Sequence, residues 1–238
     1  KLNDLFKKEK FDAVIHMASF IQMGESFKNI KKYFENNLMS FINLSKVMVA
    51  NDVSKIVFSS SAGVYGNPKS VPVVETDDTN PTNPYGETKL EIEKMLHWLD
   101  KAHGLKSVCI RYFNASGAAL DGSIGEAHPD ESHLIPLIMK WAMNNEEILI
   151  YGNDYDTQDG TCVRDYIHVL DLSMAHVIAL KKLLSGIDSN IFNAGIGLGY
   201  SNLNIVDTVK KVTGLPIKLK ICPRRAGDAG ELFAQTDK

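Results

Sequence analysis

Short apolar runs alternate with amphipathic stretches along the first half of the chain. The runs at Asp12–His16, Lys55–Ser59 and Ser107–Tyr112 are continuous enough to predict buried strands. Between them, apolar residues recur every three or four positions over Asn29–Asn51 and Tyr85–His103, which predicts two helices. Strands that alternate with helices are typical of an α/β fold with a parallel sheet.

The pattern continues less regularly after Asn114. The stretch from Gly117 to Glu131 lacks a clear period, so we predict a loop there. The remaining predictions are a helix at 134–143, a strand at 148–151, a helix at 170–184 between strands at 166–169 and 191–194, and a helix at 201–212. These elements extend the α/β pattern through the second half of the chain.

Composition and charge exclude several classes of protein. The 238 residues include 26 Lys and Arg against 29 Asp and Glu, for a net charge of -3, and 44% are hydrophobic. A disordered chain would be poorer in apolar residues, and a nucleic-acid-binding protein usually carries a basic excess. No apolar run reaches the roughly 18 residues of a membrane span. We therefore expect a globular protein with no nucleic-acid partner and no membrane partner.

The three cysteines predict no disulfide and no metal site. Cys109, Cys162 and Cys222 are far apart, and neither a CxxC pair nor a Cys/His spacing typical of zinc occurs. We interpret them as inert thiols in a reducing compartment, which favours a cytoplasmic protein.

Tyr85 and Lys89 are the first candidates for chemistry. Side chains four positions apart lie on one face of a helix, so a phenol and an ammonium are predicted side by side. A nearby positive charge lowers the pKa of a tyrosine, which suits the pair to general acid–base work on a hydroxyl. Ser61 follows the predicted strand Lys55–Ser59, at the edge of a parallel sheet where ligands bind. Taken alone, the spacing of Tyr85 and Lys89 can occur by chance, and Ser61 can be an ordinary turn residue. Taken together, the three residues predict an active site.

Longer motifs carry a resemblance to a known family. They include Ser59-Ser-Ser-Ala62, Arg111-Tyr-Phe-Asn114, Val163-Arg-Asp-Tyr-Ile-His-Val169 and Arg224-Arg-Ala-Gly-Asp228. With these motifs the chain resembles the extended short-chain dehydrogenase/reductases, and within them the UDP-glucose 4-epimerases (UDP-galactose 4-epimerases). The resemblance implies a Rossmann-type, doubly wound parallel sheet with a smaller α/β substrate-binding lobe.

The resemblance also implies an isomerase that uses NAD to epimerise C4 of a UDP-hexose. UDP-galactose and UDP-glucose would interconvert through a 4-keto intermediate, and the partners would be the UDP-sugar and a second copy of the chain. Ser61-Ala62-Gly63 lacks the acidic pair of the related dehydratases, which disfavours water elimination. Two alternatives stay open: a 4-epimerase for UDP-GlcNAc or UDP-glucuronate, and a non-catalytic nucleotide sensor on the same fold.

The family's functional residues map onto this sequence one by one. Catalysis falls to Tyr85 as the base, Ser61 as the hydrogen-bond partner of O4, and Lys89 as the group that holds the nicotinamide ribose. Beyond these three, the implied cofactor contacts are Met17, Ala18, Ser19, Phe20, Ile21, Asn36 and Phe113. The implied substrate contacts are Asn114, His133, Leu149, Ile150, Tyr151, Arg164, Arg225 and Asp228.

The resemblance divides the chain and indicates a missing segment. We expect residues 1–115, together with about 163–195, to form a partial NAD-binding domain, and 116–162 with 196–238 to form the substrate lobe. No glycine-rich turn precedes Asp12, so we expect the first part of the Rossmann sheet, and a C-terminal tail, to be absent and NAD binding to be weak. Gly195-x-Gly197-x-Gly199 does not have the GxGxxG spacing, so we interpret it as a tight turn.

Overall fold

The computed structural model describes residues 1–225 and 227–238. Its helices are α1 (Leu2–Lys8), α2 (Met23–Lys28), α3 (Ile30–Tyr33), α4 (Met39–Ala50), α5 (Pro84–His103), α6 (Leu134–Met143), α7 (Val169–Leu184) and α8 (Asn202–Thr213). A π-helix (Phe34–Leu38) joins α3 to α4, and a 3-10 turn (Ala62–Val64) follows the second strand.

The strands are numbered in chain order in the same way. They are β1 (Val14–His16), β2 (Lys55–Ser59), β3 (Lys106–Tyr112), β4 (Asn114–Ser116), β5 (Glu147–Tyr151), β6 (Val163–Arg164), β7 (Tyr166–His168), β8 (Asn190–Ala194), β9 (Tyr200–Ser201), β10 (Lys218–Cys222) and β11 (Glu231–Leu232).

A four-stranded parallel sheet forms the centre of the fold, in the order β1-β2-β3-β8. One face packs on α4 and α5 through a cluster that includes Phe41, Phe58 and Ile92. The other face packs on α7 through Val57, Val108 and Leu183, among others. Helices on both faces of a parallel sheet confirm the predicted α/β, doubly wound arrangement.

Three smaller sheets form beside the central one. Strand β5 pairs in parallel with β10, and α6 and α8 cover this pair through Ile138, Ile148, Ile150, Val206 and Val209. The other two sheets are β4–β7 and the three-stranded β11-β6-β9. Strands β4, β6, β9, β10 and β11 were not predicted; β4, β6, β9 and β11 have two or three residues, too short for a clear period of two.

The glycine-rich turn after β8 holds an internal carboxylate. Asp165 is completely buried and accepts backbone N–H groups from Ile196 at 2.9 Å, Gly197 at 3.1 Å and Ala234 at 3.2 Å. A Cβ atom at Gly195 would lie 2.3 Å from an Asp165 carboxylate oxygen, so this position has room only for glycine. The turn thus binds the carboxylate of Asp165, a side chain of the protein itself.

Helix α5 has clear signals at both ends. The Asn83 side chain accepts a hydrogen bond from the Gly86 N–H at 2.8 Å, and Pro84 occupies the first helical position. Gly104 ends the helix with a φ of 67°, a left-handed conformation that favours glycine. Within the described residues, no helix has both the length and the apolar character needed to span a membrane.

Candidate active site

Ser61 is positioned by the turn that follows β2. Its hydroxyl oxygen accepts a hydrogen bond from the Gly63 N–H at 3.0 Å, which caps the 3-10 turn. A Cβ at Gly63 would come within 3.2 Å of that hydroxyl oxygen. The turn therefore fixes Ser61 at the carboxyl edge of the central sheet, where the sequence predicted it.

Tyr85 is brought against this turn by the first residues of α5. A Cβ atom at Gly86 would lie 2.7 Å from the Gly63 carbonyl oxygen, so the helix approaches the turn closely only because residue 86 is glycine. Tyr85 is 5% exposed, and its ring lines the same cavity as Ser61. The predicted pairing of Ser61 with Tyr85 is therefore present.

Lys89 lies one helical turn beyond Tyr85 and is almost completely buried. Its Nζ donates to the Ser59 carbonyl oxygen at 2.8 Å and lies 5.7 Å from the centre of the Tyr85 ring. Burial lowers the pKa of Lys89 to about 7, because an ammonium without a carboxylate partner is poorly solvated. A lysine has three N–H donors, and within residues 1–225 and 227–238 this one makes a single hydrogen bond.

Burial also controls the pKa of Tyr85, in the direction opposite to our prediction. It raises that pKa far above the usual range, the neighbouring Tyr112 adds to the rise, and the Ser61 hydroxyl opposes it. We predicted that Lys89 would lower the pKa. The predicted low pKa was wrong, because desolvation of the phenol outweighs the effect of the Lys89 charge, which burial itself disfavours.

A buried ion pair contacts Ser60, the residue before Ser61. Arg111 on β3 and Glu93 on α5 are both nearly inaccessible, and Arg111 Nη2 lies 2.7 Å from a Glu93 oxygen. The Ser60 hydroxyl donates to Glu93 at 2.5 Å, and Arg111 Nη1 donates to the Tyr65 hydroxyl at 3.1 Å. The pair ties α5 to β3 and to the residue before Ser61.

The predicted cofactor loop Met17–Ile21 follows β1 and is held by Asn37. The Asn37 side-chain oxygen accepts the Phe20 N–H at 2.8 Å, while its amide nitrogen donates to the Phe20 carbonyl at 3.0 Å and to Thr88 at 3.3 Å. Asn37 is 1% exposed, whereas the predicted residue Asn36 is exposed. Sequence reasoning therefore missed Asn37, although its position in the Asn36-Asn37 pair gave a partial signal.

Two adjoining cavities extend from this point. The larger, of about 580 Å³, is lined by Ser61, Tyr85 and Phe113, among others. The smaller, of about 250 Å³, is lined by Tyr151, Arg225 and Asp228, among others. Asn114, His133 and Arg164 line both cavities, so the two form one continuous groove.

Most predicted substrate residues lie in this groove, and one does not. Successive side chains of a strand point to opposite faces, so Leu149 and Tyr151 of β5 line the smaller cavity. Ile150 between them is completely buried in the core with α6 and α8. The strand therefore turns the Ile150 side chain away from the groove, and the predicted contact of Ile150 with substrate stays a prediction.

Two arginines, Arg164 and Arg225, line the smaller cavity. Arg225 Nε pairs with Asp228 at 2.9 Å, and its guanidinium lies 5.0 Å from the centre of the Tyr151 ring. Arg164 Nη1 donates to the Val163 carbonyl oxygen at 2.8 Å. Planar guanidinium groups suit a diphosphate because they form paired, charge-assisted hydrogen bonds.

The residues at the sheet edge fit a dinucleotide such as NAD. The loops after β1, β2 and β3 meet at the carboxyl edge of a parallel sheet, which is where such cofactors bind. The buried Lys89 has N–H donors left for ribose hydroxyl groups, and Tyr85 lies beside it. The groove can therefore hold a cofactor at the sheet edge and a nucleotide sugar towards Arg164 and Arg225.

Comparisons with known proteins agree with this geometry. Residues 1–195 match the NAD dependent epimerase/dehydratase family. The whole chain is 49% identical to a UDP-glucose 4-epimerase of Halalkalibacterium halodurans, of which it covers 71%, and 50% identical to one of Lacticaseibacillus casei, of which it covers 72%.

Solved structures show the same similarity. UDP-glucose 4-epimerase from Brucella ovis in complex with NAD superposes with a TM-score of 0.94 at 42% identity, over 99% of this chain and 73% of that one. The enzyme from Bifidobacterium longum in complex with NAD+ and UDP gives 0.93 at 41% identity, over 100% and 72%. The chain belongs to the NAD dependent epimerase/dehydratase family, and within it is most similar in these comparisons to UDP-glucose 4-epimerases.

Proposed function

We propose that the groove catalyses NAD-dependent epimerisation at C4 of a UDP-hexose, the interconversion of UDP-galactose and UDP-glucose. The observation that carries the proposal is the placement of Ser61 and Tyr85 in the larger cavity, with Lys89 buried one helical turn beyond Tyr85. Arg164 and Arg225 line the smaller cavity that adjoins it. The relatives named above are UDP-glucose 4-epimerases, and two of the solved ones contain NAD.

Tyr85 moves the proton of the sugar's O4 in this scheme. It accepts that proton when the hydroxyl becomes a ketone and returns it when the ketone becomes a hydroxyl, while Ser61 hydrogen-bonds the same oxygen. When bound, NAD supplies the hydride acceptor and donor at C4, and its oxidised form adds a positive charge that favours a phenolate. The raised pKa of Tyr85 keeps the phenol protonated in the chain without bound cofactor.

Lys89 provides a positive charge close to Tyr85 when its side chain is protonated. Its pKa of about 7 means that the ammonium is only marginally stable at neutral pH, so a phenolate at Tyr85 favours it and is favoured by it in return. The Ser59 carbonyl oxygen fixes Nζ in place, and the remaining N–H donors would be available to the ribose hydroxyl groups of a bound cofactor. Lys89 thus orients the cofactor and stabilises the ionised form of Tyr85.

The division of the groove follows from this scheme. We propose that 1–115 with about 163–195 holds the cofactor, through Met17–Ile21 and Phe113. We propose that 116–162 with 196–238 holds the nucleotide sugar, through His133 and Arg225, and that Arg164 reaches the same cavity from the 163–195 segment. Asn37 positions the cofactor loop, and Asn36 beside it remains a proposed contact of the cofactor.

Tyr85→Phe tests the assignment because it removes only the phenolic oxygen. We expect the rate of conversion of UDP-galactose to UDP-glucose to fall about 10² to 10⁴-fold, the usual contribution of a positioned acid–base group. Tyr200→Phe, on strand β9 and outside both cavities, is the matched control and should keep its rate. Full turnover by Tyr85→Phe would show that the mechanism is wrong.

Assembly and location complete the proposal. We propose a homodimer that pairs α4 and α5 of two copies, which is supported by exposed Met39 and Trp98 at 47% and 68%. Light scattering of Trp98→Glu against the unmodified chain tests it: loss of the dimer is expected. We also propose a cytoplasmic location, because Cys109, Cys162 and Cys222 are all free thiols.

A further inference from the structure

Two histidines and two glutamates converge on the loop before α6. Glu126, His128, Glu131 and His133 each offer one ligand atom, and these four atoms all lie within 4.8 Å of one another. His133 Nδ1 is 2.8 Å from an oxygen of each glutamate. His128 Nδ1 is 3.1 Å from Glu126 and 3.4 Å from Glu131.

The contacts in this cluster outnumber the protons available to make them. Each Nδ1 carries at most one hydrogen, yet each faces two carboxylate oxygens. The hydrogen on Nδ1 can point to only one of the two carboxylate oxygens. The other oxygen therefore lacks a well-aligned donor. Across the described part of the chain, no lysine or arginine forms an ion pair with Glu126 or Glu131. Glu131 also accepts the backbone N–H groups of Ser132 at 2.7 Å and His133 at 2.8 Å. Positive charge at the centre of the cluster must therefore come from the two histidines or from a bound cation.

We propose that Glu126, His128, Glu131 and His133 bind Zn²⁺. Imidazole nitrogen and carboxylate oxygen are both zinc ligands, and four of them complete a closed tetrahedral site. With bonds of about 2.0–2.1 Å, neighbouring ligand atoms are roughly 3.4 Å apart. Of the four nitrogen–oxygen distances, the one of 3.4 Å already matches this value, and those of 2.8, 2.8 and 3.1 Å would open by at most about 0.6 Å.

The same residues would not hold magnesium or calcium well. Those hard cations take oxygen ligands, and Mg²⁺ demands six in a near-ideal octahedron. Here two of the four donor atoms are nitrogens, which suit zinc and other late transition metals. The ligand set thus identifies the class of ion as well as the site.

Zinc at this position would fasten a long loop. Residues 117–133 form no helix or strand, and most of the stretch from 120 to 130 is exposed. Glu126, His128 and His133 line the larger cavity, so the loop is part of its wall. A closed four-ligand site joins both ends of the segment 126–133, which restricts the wall without adding a core. His133 faces both glutamates through Nδ1, which leaves Nε2 for the nucleotide sugar, so the zinc site is compatible with the role proposed for His133 above.

Isothermal titration of the purified full chain with ZnCl₂ tests the site directly. We expect one ion per chain with a dissociation constant in or below the micromolar range, at least tenfold weakening for Glu131→Gln or His128→Ala, and no comparable binding of Mg²⁺. His103→Ala, at the exposed end of α5, and Cys162→Ser, a thiol in the neighbouring cavity, are controls that should keep the affinity.

X-ray absorption at the zinc edge gives an independent readout. Two nitrogens and two oxygens at about 2.0–2.1 Å, with no sulfur at about 2.3 Å, support the site. Zinc should also slow proteolysis within 117–133 in the unmodified chain and not in Glu131→Gln. Affinity unchanged in both ligand variants while they melt at the original temperature would overturn the proposal, as would a sulfur ligand. Loss of epimerase activity alone bears only on the catalytic proposal.

Discussion

Replacing Lys89 with methionine separates the stability of the fold from the chemistry of the groove. The pKa of Lys89 is about 7, against 10.5 for an unburied lysine. Each tenfold change in proton affinity corresponds to about 1.4 kcal/mol, so keeping the ammonium buried at pH 7 costs ~4 kcal/mol. Loss of the Nζ hydrogen bond to Ser59 offsets about 1 kcal/mol of the gain. We expect the variant to be more stable at pH 7 by about 3 kcal/mol.

The sign of the pH dependence follows from the two pKa values. Between pH 7 and 10.5 the unfolded chain keeps the Lys89 proton and the native chain has lost it, so the free energy of unfolding rises with pH. Lys89→Met lacks this contribution. The advantage of the variant should therefore shrink from about 3 kcal/mol at pH 7 to near zero at pH 9.5.

Urea unfolding followed by circular dichroism at pH 7, 8, 9 and 9.5 measures the difference. Lys101→Met, an exposed lysine on the same helix, is the control and should show no such trend. A stability difference that stays constant over this range would refute the reasoning, because only a buried ionising group produces the convergence. The same Lys89→Met variant should lose epimerase activity at every pH.

Three further predictions concern residues around the site. Asn37→Ala should release the loop after β1 and weaken NAD binding in equilibrium dialysis, whereas Asn67→Ala, at an exposed position outside both cavities, should not. Glu93→Gln leaves a buried guanidinium without its partner and should cost about 3–5 kcal/mol in urea unfolding, while the double variant Glu93→Met with Arg111→Leu should recover most of it. Gly86→Ala places a Cβ 2.7 Å from a carbonyl oxygen in the facing turn, so turnover should fall in an otherwise folded chain.

The central sheet could be predicted because its strands are buried on both faces. Continuous apolar runs such as Lys55–Ser59 are distinctive, and the helix Tyr85–His103 has a proline at its start and a glycine at its end. The predicted helix 29–51 is interrupted by the π-helix Phe34–Leu38, which a pattern of three and four cannot show. Strands of two residues depend on partners distant in the chain, so their own sequence carries no signal.

The sequence predicted which residues form the candidate site better than it predicted their pKa values. Tyr85, Ser61 and Lys89 meet as expected, but the pKa of Tyr85 depends on the depth of burial, which spacing does not reveal. Ile150 was predicted to contact substrate together with Leu149 and Tyr151. Because a strand alternates its side chains, the Ile150 side chain faces the core instead. The cluster of Glu126, His128, Glu131 and His133 was not predicted, because the sequence analysis considered zinc ligands only at cysteine spacings. Its sequence signal is the Glu-x-His pattern, which occurs at 126–128 and again at 131–133.

The buried carboxylate of Asp165 has a consequence for the order of folding. Its three backbone donors lie 31, 32 and 69 residues further along the chain. Contacts of such long sequence separation form only after the intervening chain has been ordered, since closing long loops costs entropy before it yields any contact. The junction around Asp165 should therefore assemble late, and Asp165→Asn should mainly accelerate unfolding while leaving the refolding rate nearly unchanged.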